Sequence, residues 1–171
     1  MLTIGHSTLA IEVFLDVLQD NGVRLLADVR TIPQSRHNPQ FGMEALSASL
    51  HSAGIEYRWM RSLGGLRKAR KDSINTGWRN ASFRGYADYM QTEAFHEALQ
   101  EFIELDKKCA TTIMCSEAVP WRCHRSLIAD ALIVRGVPVE HIMTAASRKA
   151  HALTPFAAVE KDKITYTDHG E

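Results

Sequence analysis

Six side chains able to do chemistry fall between positions 115 and 125: Cys115, Glu117, Arg122, Cys123, His124 and Arg125. They sit in the stretch MCSEAVPWRCHRSLIADAL, Met114 to Leu132, between a β-branched run and a helical pattern. One chemistry they suit is that of an activated thiol. A cysteine at the end of a strand, just ahead of a helix starting near Arg122 or Cys123, feels the free N–H groups of that helix end. The same field, with Arg122 and Arg125, favours a thiolate and cradles an anion. Cys115 is then a nucleophile for sulfur or phosphoryl chemistry on an anionic small molecule. A second chemistry is a metal site of Cys115, Cys123 and His124, with Glu117 or His6 as a further ligand and zinc or iron as the ion. The spacing is not that of a double CxxC. A third reading has no chemistry: Cys115 buried at a strand end, His124 bonding a nearby carbonyl, and Glu117 steadying the helix start or pairing with Arg125.

The elements around this stretch decide what else can reach it. LTIGHS reads as a first strand, and Ile11, Phe14, Val17 and Leu18 share a helical face closed by Gly22. VRLLADVR is a continuous apolar run, typical of a strand buried on both faces. Pro33 and Pro39 make IPQSRHNPQ a loop. Met43 to Ala53 reads as helix, IEYRWM as strand, and Arg61 to Ala81 as a long loop. The apolar period predicts one long helix from Tyr86 to Lys108. CATTIMC is a strand, Ser126 to Arg135 a helix, VPVEHIM the last main strand, and KITYT a short strand in the tail. Strands alternating with helices predict a single α/β domain over 1–171, with a mainly parallel sheet flanked by helices and residues 144–171 packed on it as an extension.

In such a sheet, sites gather beyond the carboxyl ends of the strands. The first strand delivers Gly5, His6 and Ser7 there, the second delivers Asp28 and Arg30 on one face, and a later one delivers Cys115. His6 or His124 is then a proton carrier, His6 being the first choice, with Arg30 an oxyanion clamp and Asp28 its orienting partner. Asp28 and Arg30 also read as a structural ion pair. Ser35 follows in the Pro-bounded loop, within reach of a ligand.

The 171 residues are 45% apolar and 23% charged, with 20 Lys plus Arg against 20 Asp plus Glu. That balance offers no long-range attraction to nucleic acid or membrane. No apolar run is long enough for a membrane span, and the N-terminus does not read as a signal peptide. Three cysteines without an export signal suit reduced thiols in a cytoplasm. Locally the charge is uneven. Positions 58 to 84 hold eight basic residues against Asp72 alone, interleaved with Trp59, Trp78 and Phe83. This segment reads as a lid over an anionic substrate, or as a grip on single-stranded nucleic acid.

TIGHS, ADVRTIPQS, LGG at Leu63 to Gly65, MCSEAVPWRCHRSLIADAL and the tail motifs LTPFA and ITY together resemble the domain-of-unknown-function family numbered 488. The resemblance implies one α/β domain and no assigned activity. It adds Gly64 and Gly65 to the residues expected around the ligand. LLADVR also resembles the LLDVR stretch of rhodanese-like domains, which carry a later strand ending in Cys, an anion-cradling loop and an Arg. Cys115, Arg122 and Arg125 follow that order, with a loop one residue longer than the C-x5-R of phosphatases.

Overall fold

Short aliphatic runs bounded by polar turns become the strands. In the computed structural model, which describes residues 1–168, five strands run parallel: β1 (Leu2–Gly5), β2 (Leu25–Asp28), β3 (Glu56–Trp59), β4 (Thr111–Cys115) and β5 (Glu140–Thr144). A sixth, β6 (Ser147–Ala150), returns antiparallel beside β5. Their order is β3-β2-β4-β1-β5-β6. β2 and β4 are buried along their whole length, which is why they read as unbroken apolar runs.

Helices cover both faces, as the sequence predicts. Alternate strand residues point to opposite sides. Leu26 and Met114 meet α1 (Ile11–Asp20) and α2 (Met43–Ser52) through Phe14, Phe41 and Leu46. Ala27 and Ile113 point the other way, into a core with α3 (Ala81–Tyr89), α4 (Glu93–Lys108) and α5 (Arg125–Val134), built on Phe95, Leu99, Phe102 and Leu127. The chain leaves β1 towards α1 on one face and leaves β4 towards α5 on the other. Because β1 and β4 are neighbours, a crevice opens between their carboxyl ends.

The single helix expected from Tyr86 to Lys108 is two. α3 begins earlier, where Asn80 Oδ1 accepts hydrogen bonds from the N–H groups of Ser82 and Phe83, at 2.8 and 3.4 Å. α4 restarts where Thr92 Oγ1 accepts from the N–H of Phe95. Tyr86, Ala87, Met90 and Phe95 all bury into one core, so the apolar period runs on across the break.

The tail adds a hairpin, β7 (Ala158–Glu160) with β8 (Lys163–Thr165). Neither β6 nor β7 was legible, because their exposed faces carry no apolar alternation. The extension is fastened by polar bonds. Tyr166 donates its hydroxyl to Asp130 at 2.8 Å, and a buried chain runs from Thr3 through His141 and His151 to Asp130. No helix among the described residues is long and apolar enough to cross a membrane.

Candidate functional site

The backbone first welds the two loops of the crevice together. The N–H of His6 donates to the carbonyl of Cys115 and that of Ser7 to the carbonyl of Ser116, so pairing continues past the end of β1. Gly5 allows this approach: a Cβ there would lie 1.8 Å from the Glu117 carbonyl oxygen. Ser7 takes a left-handed backbone (φ 47°) to complete the turn.

Above this weld lies a cavity of about 540 Å³. Its buried end holds His6, Arg30, Cys115, Cys123 and His124, and its exposed rim carries Ile32, Leu66, Glu117 and Arg122. Ser35 and Gly65 also line it. The expected convergence of His6, Arg30 and Cys115 is therefore a property of the fold, with Asp28 directly behind. Three expected ligand residues are elsewhere. Ser7 and Gly64 lie outside the lining, Gly64 being packed on Thr31. Arg125 is 1% exposed and faces away from the cavity. Its guanidinium donates to Thr3 Oγ1 at 3.1 Å and to the Glu117 carbonyl at 2.5 Å.

Asp28, wholly buried, accepts from Arg30 Nε at 2.9 Å and Nη2 at 2.6 Å, from the Arg30 N–H at 3.1 Å, and from the Tyr57 hydroxyl at 2.8 Å. Arg30 Nη1 donates to the Phe41 carbonyl at 2.8 Å. Burial first, then the Asp28 carboxylate, drives the Tyr57 hydroxyl pKa up, so it stays a donor. Tyr57 and Phe41 were missed in the sequence. Tyr57 is the register partner of Leu26, and only strand pairing brings it to Asp28.

His6 has no free nitrogen. Its Nδ1 lies 2.8 Å from the Ser7 carbonyl, which can only accept, so Nδ1 carries the proton. Nε2 then presents its lone pair to Arg30 Nη1 at 3.4 Å, and the ring stacks on Phe41. Burial, with Arg30 adding to it, pulls its pKa down to about 4. The expected proton carrier is thus a neutral brace for Arg30. Burial, with the neighbouring His151, likewise lowers His141 to about 4. Both rings stay neutral in the fold while the unfolded chain takes up protons below about pH 6.5. Stability is therefore fully present above pH 6.5, falls as the pH drops to 4, and levels below that, by up to about 3 kcal/mol per histidine. Urea midpoints at pH 7, 6, 5 and 4 measure it. A flat profile down to pH 4 would show that neither ring is held neutral.

His124 is oriented oppositely. Nε2 lies 3.1 Å from the Val29 carbonyl and must donate to it, which leaves the Nδ1 lone pair facing Cys123 Sγ at 3.7 Å and Cys115 Sγ at 4.0 Å. All three cysteines are free thiols. The two at the site share a proton unevenly. Burial alone would raise the Cys123 pKa, but a hydrogen bond from Cys115 and the Arg125 charge outweigh it and bring it to about 6. That bond to Cys123, then burial, pushes Cys115 up to about 12. The sequence pointed to Cys115 as the thiolate. The balance between the two instead favours Cys123.

Gly65 seals one side of this imidazole, since a Cβ would lie 2.4 Å from His124 Nδ1. Gly65→Ala is expected to cost roughly 1–2 kcal/mol by overpacking and to shift the His124 ring resonances while those of His141 stay put. Unmoved His124 resonances in a nitrogen-15 spectrum would refute the contact.

Part of the basic segment is tied down. Arg58 pairs with Glu101 and Arg70 with Asp72, while Arg67 lies over the Tyr89 ring. Asp88 knots the loop by accepting from the Arg70 N–H, the Ser73 hydroxyl and the Asn75 amide.

No curated protein and no solved structure gives a significant match to the chain. A family model does, the one described as Domain of unknown function DUF488, over residues 10–132. The match takes in Asp28, Arg30, Cys115, Cys123 and His124 and stops short of β1 with its His6. It spans well over half of the 171 residues, and this protein belongs to the DUF488 family.

Proposed function

We propose that this protein is an enzyme that draws an anionic small molecule into the cavity and works on it through the two thiols and the imidazole at its buried end. The observation that carries this reading is the His124 Nδ1 lone pair, aimed at Cys123 and Cys115 on the floor of a cavity that Arg30 and Arg122 border. An imidazole that accepts a thiol proton generates the thiolate needed for attack on sulfur, phosphorus or carbon. Arg30, locked by Asp28, His6 and Phe41, offers a fixed cation that needs no reorganisation when an anion arrives. Arg122 on the exposed rim attracts the anion. Cys123 is the reacting sulfur and Cys115 its hydrogen-bond donor. Free thiols of this kind suit a reducing compartment such as the cytoplasm.

The test uses chelator-treated protein with inorganic phosphate and sulfate as probes, against chloride at matched ionic strength. Either oxyanion is expected to slow alkylation of Cys123 without affecting Cys109, and Arg122→Ala is expected to weaken that protection several-fold. Equal protection of Cys109, or no protection at all, would end the reading.

A further inference from the structure

The floor of the cavity is not only a thiol–imidazole pair. We infer that Cys115, Cys123 and His124 form a three-ligand site for a soft divalent cation of the zinc class, with its fourth coordination position open to the cavity. The inference rests on the reading that this floor is the chemical centre, and it names the ion that completes it.

The distances carry the argument. Zinc holds sulfur at about 2.3 Å and imidazole nitrogen at about 2.0–2.1 Å, so the edges of its tetrahedron are roughly 3.6 Å from sulfur to nitrogen and 3.8 Å from sulfur to sulfur. His124 Nδ1 stands 3.7 Å from Cys123 Sγ and 4.0 Å from Cys115 Sγ, and all three donor atoms lie within 4.8 Å of one another. Side-chain shifts of a few tenths of an ångström at the nitrogen edges, and a modest closing of the sulfur pair, would seat an ion.

The surroundings fit the same reading. A metal-bound imidazole needs its other nitrogen anchored, and His124 Nε2 donates to the Val29 carbonyl. Thiolate ligands need positive charge near them. Arg125 is buried, and none of the ion pairs among the described residues gives it a carboxylate. Its Nη1 and Nη2 donate to Thr3 Oγ1 and to the Glu117 carbonyl, and its Nε finds no acceptor. Two thiolates, one neutral imidazole and one divalent ion sum to zero, a charge that a buried floor tolerates.

The donor set also argues for an open site. Among the described residues the cluster has three members, and His6 is excluded because both of its nitrogens are engaged. Closed structural zinc sites use four protein ligands, whereas three ligands and a vacant position are the pattern of catalytic ones. Here the fourth direction is the cavity, where the proposed anion would meet the ion.

The experiment begins with the full chain purified without chelator. Elemental analysis is expected to find close to one zinc per chain. After the chelator-stripped protein is loaded with cobalt(II), a sulfur-to-metal charge-transfer band and the intense visible bands of four-coordinate cobalt are expected. Thiocyanate or phosphate should shift the visible bands, because the fourth position is open. Zinc affinity, measured by competition with a chromophoric chelator, should fall at least about tenfold in Gly65→Ala, which displaces an imidazole ligand. It should fall further in Cys123→Ser and stay unchanged in Cys109→Ser. Where Cys123→Ser does not fold, the wild type suffices: zinc should protect Cys115 and Cys123 together from alkylation and leave Cys109 open. Absence of zinc in the isolated protein together with absent cobalt bands overturns the inference. So does cobalt binding that Cys109→Ser abolishes. Cobalt bands indifferent to every anion overturn the open position. If zinc fails to bind while phosphate still protects Cys123, the proposed enzyme stands without a metal. If zinc binds and no anion protects or shifts a band, the metal site stands and the proposed enzyme falls.

Discussion

Asp28→Asn is expected to lower the stability of this protein by on the order of 3–5 kcal/mol, the range for breaking a buried ion pair by removing one partner. The carboxylate is wholly buried and accepts two bonds from the Arg30 side chain, one from the Arg30 backbone and one from Tyr57. An Asn presents an NH2 where one oxygen stood, facing donors. The guanidinium, itself buried, then keeps its charge without an anion. A urea midpoint shift of about 2 M is the expected readout, taking a slope of about 2 kcal/mol/M for a domain of this size. A double variant, Asp28→Leu with Arg30→Met, should recover much of the loss, since apolar replacement of both partners removes the unpaired charge. It should not recover anion protection of Cys123, because Arg30 is then gone. A midpoint shift below about 0.5 M for Asp28→Asn would mean that water reaches the pair.

Cys123 is expected to be alkylated before Cys115 and Cys109 in chelator-treated protein, with its rate half-maximal near pH 6. The sign follows from the direction of the shift. A thiol lowered to that value is already mostly thiolate at pH 6.5, whereas an ordinary thiol near 8.5 is not. Cys115 should lag until alkaline pH, because ionising it would set a second negative charge beside the first. Arg125→Met keeps the length of the side chain and removes the charge, so the Cys123 profile should move towards that of a free thiol. At pH 6.5 its rate should fall roughly five- to tenfold, the loss of thiolate being partly offset by the greater nucleophilicity of a more basic sulfur. Cys109, at the opposite end of β4, is the internal reference. A first reaction at Cys115, unchanged in Arg125→Met, would return the reactive role to the strand-end cysteine.

The class of the fold was readable along the chain because burial leaves a periodic record. LLADVR and TTIMC are buried on both faces and read as apolar runs, and α1 shows one apolar face. That the polar strand ends meet followed from parallel strands, and His6, Arg30 and Cys115 do line one cavity. Local caps were harder to see. Asn80 and Thr92 split the expected long helix because their side chains bond nearby N–H groups, while the apolar period continues through the break. What no one-dimensional pattern holds is which atom of a side chain meets which. His6 and His124 are the same residue type. Only the positions of Ser7, Val29 and Arg30 leave the first with no free nitrogen and aim the lone pair of the second at two thiols. Arg125 belongs to the same tripeptide as Cys123 and His124, yet the first turn of α5 sends it under β1 to Thr3 and away from the cavity. Residue types fix which chemistry is available, whereas the direction of a lone pair or a guanidinium is set by its partners, and some of these, such as the Val29 carbonyl, are distant in sequence and brought within 3 Å or so only by the packed sheet.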